Sequence, residues 1–323
     1  MNKIRTISFL RITNTAFASL IYLINRYITY VKPRNSPITL TLEIASICNL
    51  KCPECPTGMG IVKRESKFMT PQLAQSIIER HASTTLVSIL YFQGEPMLNP
   101  NWGEIASLAS KHKIFTLMSS NGTMLTKENC VQLITAKVDK LIVSVDGLTQ
   151  ENYEKYRVGG NLEQIISGIQ RLAETKKELR SKLPKIVVQT LLSKDTVHQQ
   201  PQIMKSAKQW GANSVEFKTM QLYNQSWENI QHWLPEEKKY RRYSIANKAL
   251  VLKQRKSRTC WRMLTNAVYT SDGALIPCCF DKTAHHNFGT LDSNPWQSKE
   301  RNLFISKMSC KVHADICKNC TEI

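Results

Sequence analysis

Between residues 38 and about 220, short apolar runs alternate with helix-like segments, and this alternation leaves few folds open to the chain. Candidate strands lie at 38–44, 86–92, 114–118, 140–145, 185–192 and 214–219. Helices fall between them near 71–83, 101–112, 126–137, 161–180 and 198–210. Leu141-Ile142-Val143 and Ile186-Val187-Val188 are continuous apolar runs. Strands of that kind are buried on both faces, as in parallel sheets covered by helices. Six such units stop short of the eight that close a barrel. The expected fold is therefore α/β, a partial (β/α)6 barrel.

In parallel β/α folds, chemistry collects in the loops at the carboxyl ends of the strands. Four motifs here each follow or end a different candidate strand. They are Cys48-Asn49-Leu50-Lys51-Cys52-Pro53-Glu54-Cys55, Gln93-Gly94-Glu95-Pro96, Ser119-Ser120-Asn121-Gly122 and Ser144-Val145-Asp146-Gly147. Singly, the last three are ordinary turn sequences. Together they are expected to face one rim. The first has C-x3-C-x2-C spacing, short enough to wrap three sulfurs round the corners of a cubic iron–sulfur cluster. Such clusters normally take four thiolates, so three leave one iron open to another ligand. A zinc site or a redox pair is the plainer alternative.

Four more thiols, Cys260, Cys278, Cys317 and Cys320, suffice for a zinc tetrahedron or a four-iron cluster, and spacing alone does not separate these. Val268-Tyr269-Thr270 and Ala274-Leu275-Ile276 flank Ser271-Asp272-Gly273, a hairpin signal that delivers Cys278 at the end of its second strand. Cys317-x2-Cys320 is a tight two-thiol clip. Cys279 is an alternative to Cys278, and Cys310 is either a spare ligand or a packing thiol. Cys130, inside a predicted helix, reads as a small buried hydrophobe. Ten cysteines bunched in motif spacings within 323 residues point to a reducing cytosol rather than a secreted disulfide scaffold.

This pattern resembles the radical S-adenosylmethionine (AdoMet) enzymes, whose signature is the same triplet after the first strand of a partial barrel. The resemblance implies that Cys48, Cys52 and Cys55 hold a [4Fe-4S] cluster whose open iron is chelated by the amino and carboxylate groups of AdoMet. Reductive cleavage then yields a 5′-deoxyadenosyl radical that takes a hydrogen from substrate. Gln93-Gly94-Glu95-Pro96 is similar to the family's Gly-Gly-Glu motif, with the first Gly replaced, and implies a seat for the methionine amino group. By the same resemblance Ser144 faces the ribose hydroxyls, Asn121 and Asp146 share the rim, and Arg157 pairs with the AdoMet carboxylate. Glu54 departs from the family, which often has an aromatic or apolar residue there beside adenine. Cys260, Gly273, Cys278, Cys317 and Cys320 resemble the auxiliary-cluster domain called SPASM in its one-cluster, twitch form. This implies a second [4Fe-4S] cluster with four Cys ligands, acting as electron acceptor in an oxidation or modification of a peptide or small molecule. The physiological donor expected is a flavodoxin or ferredoxin.

The domain boundaries expected are 1–37 for an N-terminal amphipathic helix and linker, 38–220 for the core, 221–259 for a helical connector and 260–323 for the iron–sulfur appendage. Phe9, Ile12, Ala16, Leu20, Leu23, Tyr27 and Val31 recur at helical intervals, a stripe expected to pack against the barrel. Resting on a membrane surface through residues 1–35 is its second use, so the expected location is cytoplasmic, with a membrane-peripheral alternative. The net charge of +19 calls for an anionic partner or a basic surface, and nine basic residues with no acid lie between Lys238 and Arg258. No nucleic-acid motif accompanies that charge. The competing class is a non-catalytic zinc or iron–sulfur protein with a basic docking surface.

Overall fold

Strands apolar on both faces must be covered on both, and here they assemble edge to edge in one sheet with helices between them. The computed structural model describes residues 8–252, 257–310, 312–317 and 320. The chain begins with α1 (Phe9–Tyr27), β1 (Thr39–Leu42), α2 (Pro71–His81), β2 (Val87–Ile89), α3 (Trp102–Lys111), β3 (Phe115–Ser120) and α4 (Lys127–Thr135). Next come β4 (Lys140–Ser144), α5 (Gln150–Tyr156), α6 (Leu162–Glu178), β5 (Lys185–Leu192), α7 (Gln200–Gln209) and β6 (Ser214–Thr219). The remainder is α8 (Trp227–Trp233), β7 (Tyr243–Ala246), β8 (Ala249–Leu252), α9 (Trp261–Thr265), β9 (Asn266–Tyr269), β10 (Leu275–Ile276) and α10 (Lys299–Ser309).

Among the described residues, eight strands form the main sheet in the order β10-β9-β1-β2-β3-β4-β5-β6. From β1 to β6 every pairing is parallel, and the sheet is the open wall of a partial barrel. Leu40, Leu42, Leu90, Met118, Leu141, Val143, Ile186 and Val188 are buried along it. Helix starts follow local chemistry: Thr70, Thr126, Thr149 and Asn161 each cap a helix with a side-chain oxygen, and Pro71 opens α2. Because β1 through β6 run the same way, their carboxyl ends share one rim. The cysteine loop, Gln93–Pro96, Asn121 and Asp146 all lie along it.

Three expectations change. Residues 221–259 are not largely helical: α8 is seven residues long, and β7 and β8 pair as an antiparallel hairpin. Trp233, Leu234 and Tyr243 form a separate small core with Met220 and Leu222, so tertiary packing rather than helix periodicity organises the segment. Lys253, Arg255 and Lys256 of the basic run lie outside the described residues. The appendage also joins the barrel's own sheet. Strand β9 runs parallel to β1, with Leu42 opposite Tyr269, and β10 turns back on β9 through Gly273 at φ +86°.

The third change concerns α1. Its expected apolar stripe does not pack against the barrel, because Phe9, Ile12, Ala16, Leu20, Leu23, Tyr27 and Val31 are all exposed. The buried side carries Arg11, Ala18, Ile21 and Asn25. Polar anchors decide this orientation. Arg11 donates to the carbonyls of Ala82, His112 and Lys113 at 2.9–3.0 Å, serving the carboxyl ends of α2 and α3. Asn14 exchanges two hydrogen bonds with the Ser36 backbone, and Asn25 does the same with Val31.

Candidate functional site

Leaving β1, the chain turns through Cys48, Cys52 and Cys55 in a compact loop closed by bonds from Cys55 N to Cys52 O (3.2 Å) and Met59 N to Cys55 O (2.8 Å). Cys52 is buried and the other two are half-buried. Two side chains from distant rim loops point at this loop's sulfurs. Asn121 Nδ2 lies 3.7 Å from Cys48 Sγ, and Arg157 Nη1 lies 3.8 Å from Cys52 Sγ. Burial pushes the Cys48 thiol up to about 11 and raises Cys52, whose thiolate Arg157 in turn favours. Thiols placed so ionise when a metal takes the charge.

The second rim loop docks directly on the first. Glu95 N donates to Ile47 O at 2.8 Å, and Gly94 N to Thr57 Oγ1 at 3.3 Å. The buried Glu95 carboxylate accepts from Asn121 N (2.7 Å), Ser120 Oγ (2.8 Å) and Met97 N (3.3 Å), binding the second rim loop to the third. Burial raises its pKa, and these donors oppose the rise. Pro96 opens the single helical turn that follows. Gln93 accepts from Thr57 Oγ1 at 3.3 Å, the site of the missing family glycine.

At the fourth strand, Asp146 Oδ2 accepts from Arg157 Nε at 2.5 Å, and Oδ1 accepts from Leu191 N at 2.6 Å. The guanidinium is thus fixed between one carboxylate and the cysteine loop. Asp146 heads the groups that hold Arg157 protonated against the cost of burial. Ser144 ends β4 opposite Gln189, two residues short of Asp146. The structure therefore joins the cysteine loop, Gln93–Pro96, Asn121, Asp146 and Arg157 in one bonded network, with Ser144 beside it.

Two anchors escaped the sequence reading. Glu54, between the second and third cysteines, is buried and accepts from Tyr223 N (2.5 Å), Asn224 N (3.3 Å) and Asn229 Nδ2 (2.7 Å). It ties the cysteine loop to the segment after β6. Glu43, one residue beyond β1, pairs with Arg64 at 2.9 Å and accepts from Ser271 N at 3.0 Å in the β9–β10 turn. Burial raises the Glu43 pKa, and Arg64 opposes the rise. A charged residue ending a buried strand was the one available signal for Glu43.

In the appendage, Cys260, Cys278, Cys317 and Cys320 line one cavity, together with Arg262 and apolar groups such as Phe280, Met308 and Ile316. Burial raises both Cys260 and Cys278, and the neighbouring thiols push Cys278 further. Cys279 is not among the residues that line this cavity, and its sulfur accepts from Arg262 Nη1 at 3.0 Å. Cys310 is exposed and Cys130 fully buried. Among the described residues, no three His, Cys, Asp or Glu groups close on a point that would hold a single ion. Between the two cysteine sites Lys282 rests on Phe92, its Nζ 5.0 Å from the ring centroid. Burial lowers its pKa, against the influence of Cys279, Cys55 and Cys278.

The Radical SAM superfamily matches residues 42–187, the stretch that holds all four rim motifs, the cysteine loop among them. Residues 42–187 are thus similar to the radical SAM superfamily, and the curated relatives of the chain bear the names of enzymes. Over 179 residues it is 27% identical to the AdoMet-dependent heme synthase of Methanosarcina barkeri, a match covering 55% of this chain and 49% of that protein. Over 200 residues it is 23% identical to the PqqA peptide cyclase of Gluconobacter oxydans, covering 62% and 54%. The chain therefore spans about half the length of these curated relatives. In fold it is similar to Streptococcus suis SuiB bound to S-adenosylmethionine, with a TM-score of 0.63 at 13% identity, covering 88% of this chain and 72% of that one.

Proposed function

We propose that the protein is a radical AdoMet oxidoreductase that modifies a peptide or small molecule and carries two [4Fe-4S] clusters. The observation that carries this reading is the convergence of Asn121 and Arg157 on the sulfurs of the triplet loop, within a stretch similar to the radical SAM superfamily. Cys48, Cys52 and Cys55 would hold three irons, leaving the fourth to the amino and carboxylate groups of AdoMet. Bound there, the cluster and AdoMet would supply reductive cleavage of the sulfonium, the source of a 5′-deoxyadenosyl radical.

The chain's own groups do the positioning. Gly94 brings the second rim loop against the first, so its backbone carbonyls can receive the methionine ammonium as charge-assisted acceptors. Glu95 holds that loop to Asn121. Arg157, fixed by Asp146, is the cation for the AdoMet carboxylate and for the negative charge of the thiolates. Ser144 is placed for the ribose hydroxyls. Where the family carries its adenine neighbour, Glu54 serves instead as an anchor to residues 223–229.

Cys260, Cys278, Cys317 and Cys320 would hold the second cluster, which supplies an acceptor for the electron left on the substrate. Four thiols round one mostly apolar cavity give the number of ligands that a fully ligated four-iron cluster takes. Cys278, not Cys279, is the ligand in this reading. The relatives that make heme and cyclise a peptide support the substrate classes named. Ten free cysteines fit a reducing cytosol, and a basic chain suits an acidic electron donor of the flavodoxin or ferredoxin kind.

The test is anaerobic incubation of the reconstituted protein with AdoMet and dithionite, assayed for 5′-deoxyadenosine. The wild type is expected to form it and Cys52→Ala to form none. Cleavage that persists in Cys52→Ala would remove the triplet from its role.

A further inference from the structure

Helix α1 buries a mixed face, with Ala18 and Ile21 beside Arg11 and Asn25, and leaves its broad apolar stripe outward. Amphipathic helices bury the apolar stripe and offer the polar one to water. Here Phe9 is 78% exposed, Leu20 55% and Tyr27 70%, with Ile12, Phe17 and Leu23 beside them on one face. The opposite face holds Arg11, Asn14 and Asn25, each spent on backbone groups of the protein. With those polar groups satisfied inward, the apolar ridge is the helix's outward offering. Its 19 residues extend roughly 28 Å at helical rise. A continuous apolar surface of this kind marks an interaction site.

We infer that this ridge seats the protein on an anionic membrane surface, with α1 lying in the plane of the interface. Charge complementarity selects the occupant. No acidic residue occurs before Glu43, whereas Arg26, Lys32 and Arg34 are exposed on or just after α1. Lys111 and Lys113 are exposed beside the carbonyls that Arg11 holds. A second copy of the chain would bring the same cations and the same net charge of +19 against this flank. Anionic headgroups bring the opposite charge, and acyl chains take the apolar face. No described helix is long and apolar enough to cross a membrane, which matches a helix that lies on the surface. Arg11 holds α1 at the carboxyl ends of α2 and α3, away from the rim that carries the cysteine loop, and Tyr22 meets Trp261 edge-on beside Cys260.

The experiment is flotation of the full-length, cluster-loaded protein with vesicles of phosphatidylcholine alone or mixed with phosphatidylglycerol. The wild type is expected to float with the mixed vesicles, less so as salt rises. The double variant Phe17→Ser/Leu20→Ser is expected to lose about tenfold or more of that partitioning. Iron content and 5′-deoxyadenosine formation, unchanged in the variant, show that it is folded. Wild-type protein left at the bottom with both vesicle types would overturn the inference, and so would a variant that floats as well as the wild type. A wild-type dimer in sedimentation that the variant breaks, without vesicle binding, would assign the ridge to a second copy instead.

Discussion

At Gly94 the backbone sits at φ +71°, and a Cβ there would lie 2.5 Å from the carbonyl oxygens of both Ala45 and Ile47. Those atoms are backbone leaving β1 toward the cysteine loop, so they cannot swing aside as a side chain would. Gly94→Ala therefore has to part the first two rim loops. The conformation alone costs about 1–2 kcal/mol, before any clash. We expect a lower unfolding midpoint and iron content reduced toward that of the second site alone, measured on anaerobically reconstituted protein. Unchanged iron and stability would mean that the loops do not meet as described. The cysteines were legible because their spacing is local, and so was the Gly-Glu-Pro turn. Glu54 was not, because its partners lie at residues 223, 224 and 229, far along the chain, and no local pattern announces them.

Among the elements, the join between α2 and β9 shows how the appendage is held to the barrel. His81, in the last turn of α2, sits 3.0 Å from the Tyr269 hydroxyl at the end of β9. Burial, aided by Arg80, pushes its pKa down from 6.5 to about 4. A depressed pKa favours the neutral ring in the folded state. Its contribution is thus complete above pH 6.5 and is lost as pH falls toward 4. Between about pH 7.5 and pH 5 the wild type should lose about 2 kcal/mol through this ring, and His81→Gln should remove that part of the slope in urea unfolding. An identical slope in both proteins would refute the assignment. The six core strands and five of the helices were legible from apolar runs and spacing. Helix α5 is seven residues long and carries little periodic signal. The β7–β8 hairpin takes its form from packing on a small core, which a linear pattern does not display. For α1 the periodicity was read correctly and its direction was not, since Arg11 and Asn25 decide which face turns inward.

For the molecule as a whole, the sheet is continuous from β10 to β6, so the proposed second site is fastened to the first through β9 and β1. The Glu43–Arg64 pair and the bond from Arg64 Nη2 to Lys282 O (2.8 Å) add a second fastening between cysteine loop and appendage. The central claim is that three thiols hold a cube with one iron left for AdoMet. Electron paramagnetic resonance of the dithionite-reduced protein, before and after AdoMet is added, tests it most directly. With about eight irons bound per chain, part of the reduced signal should shift on adding AdoMet. The triple variant Cys48→Ala/Cys52→Ala/Cys55→Ala should keep about four irons and show no such shift. A wild-type spectrum indifferent to AdoMet, or a shift that survives in the triple variant, would contradict the account.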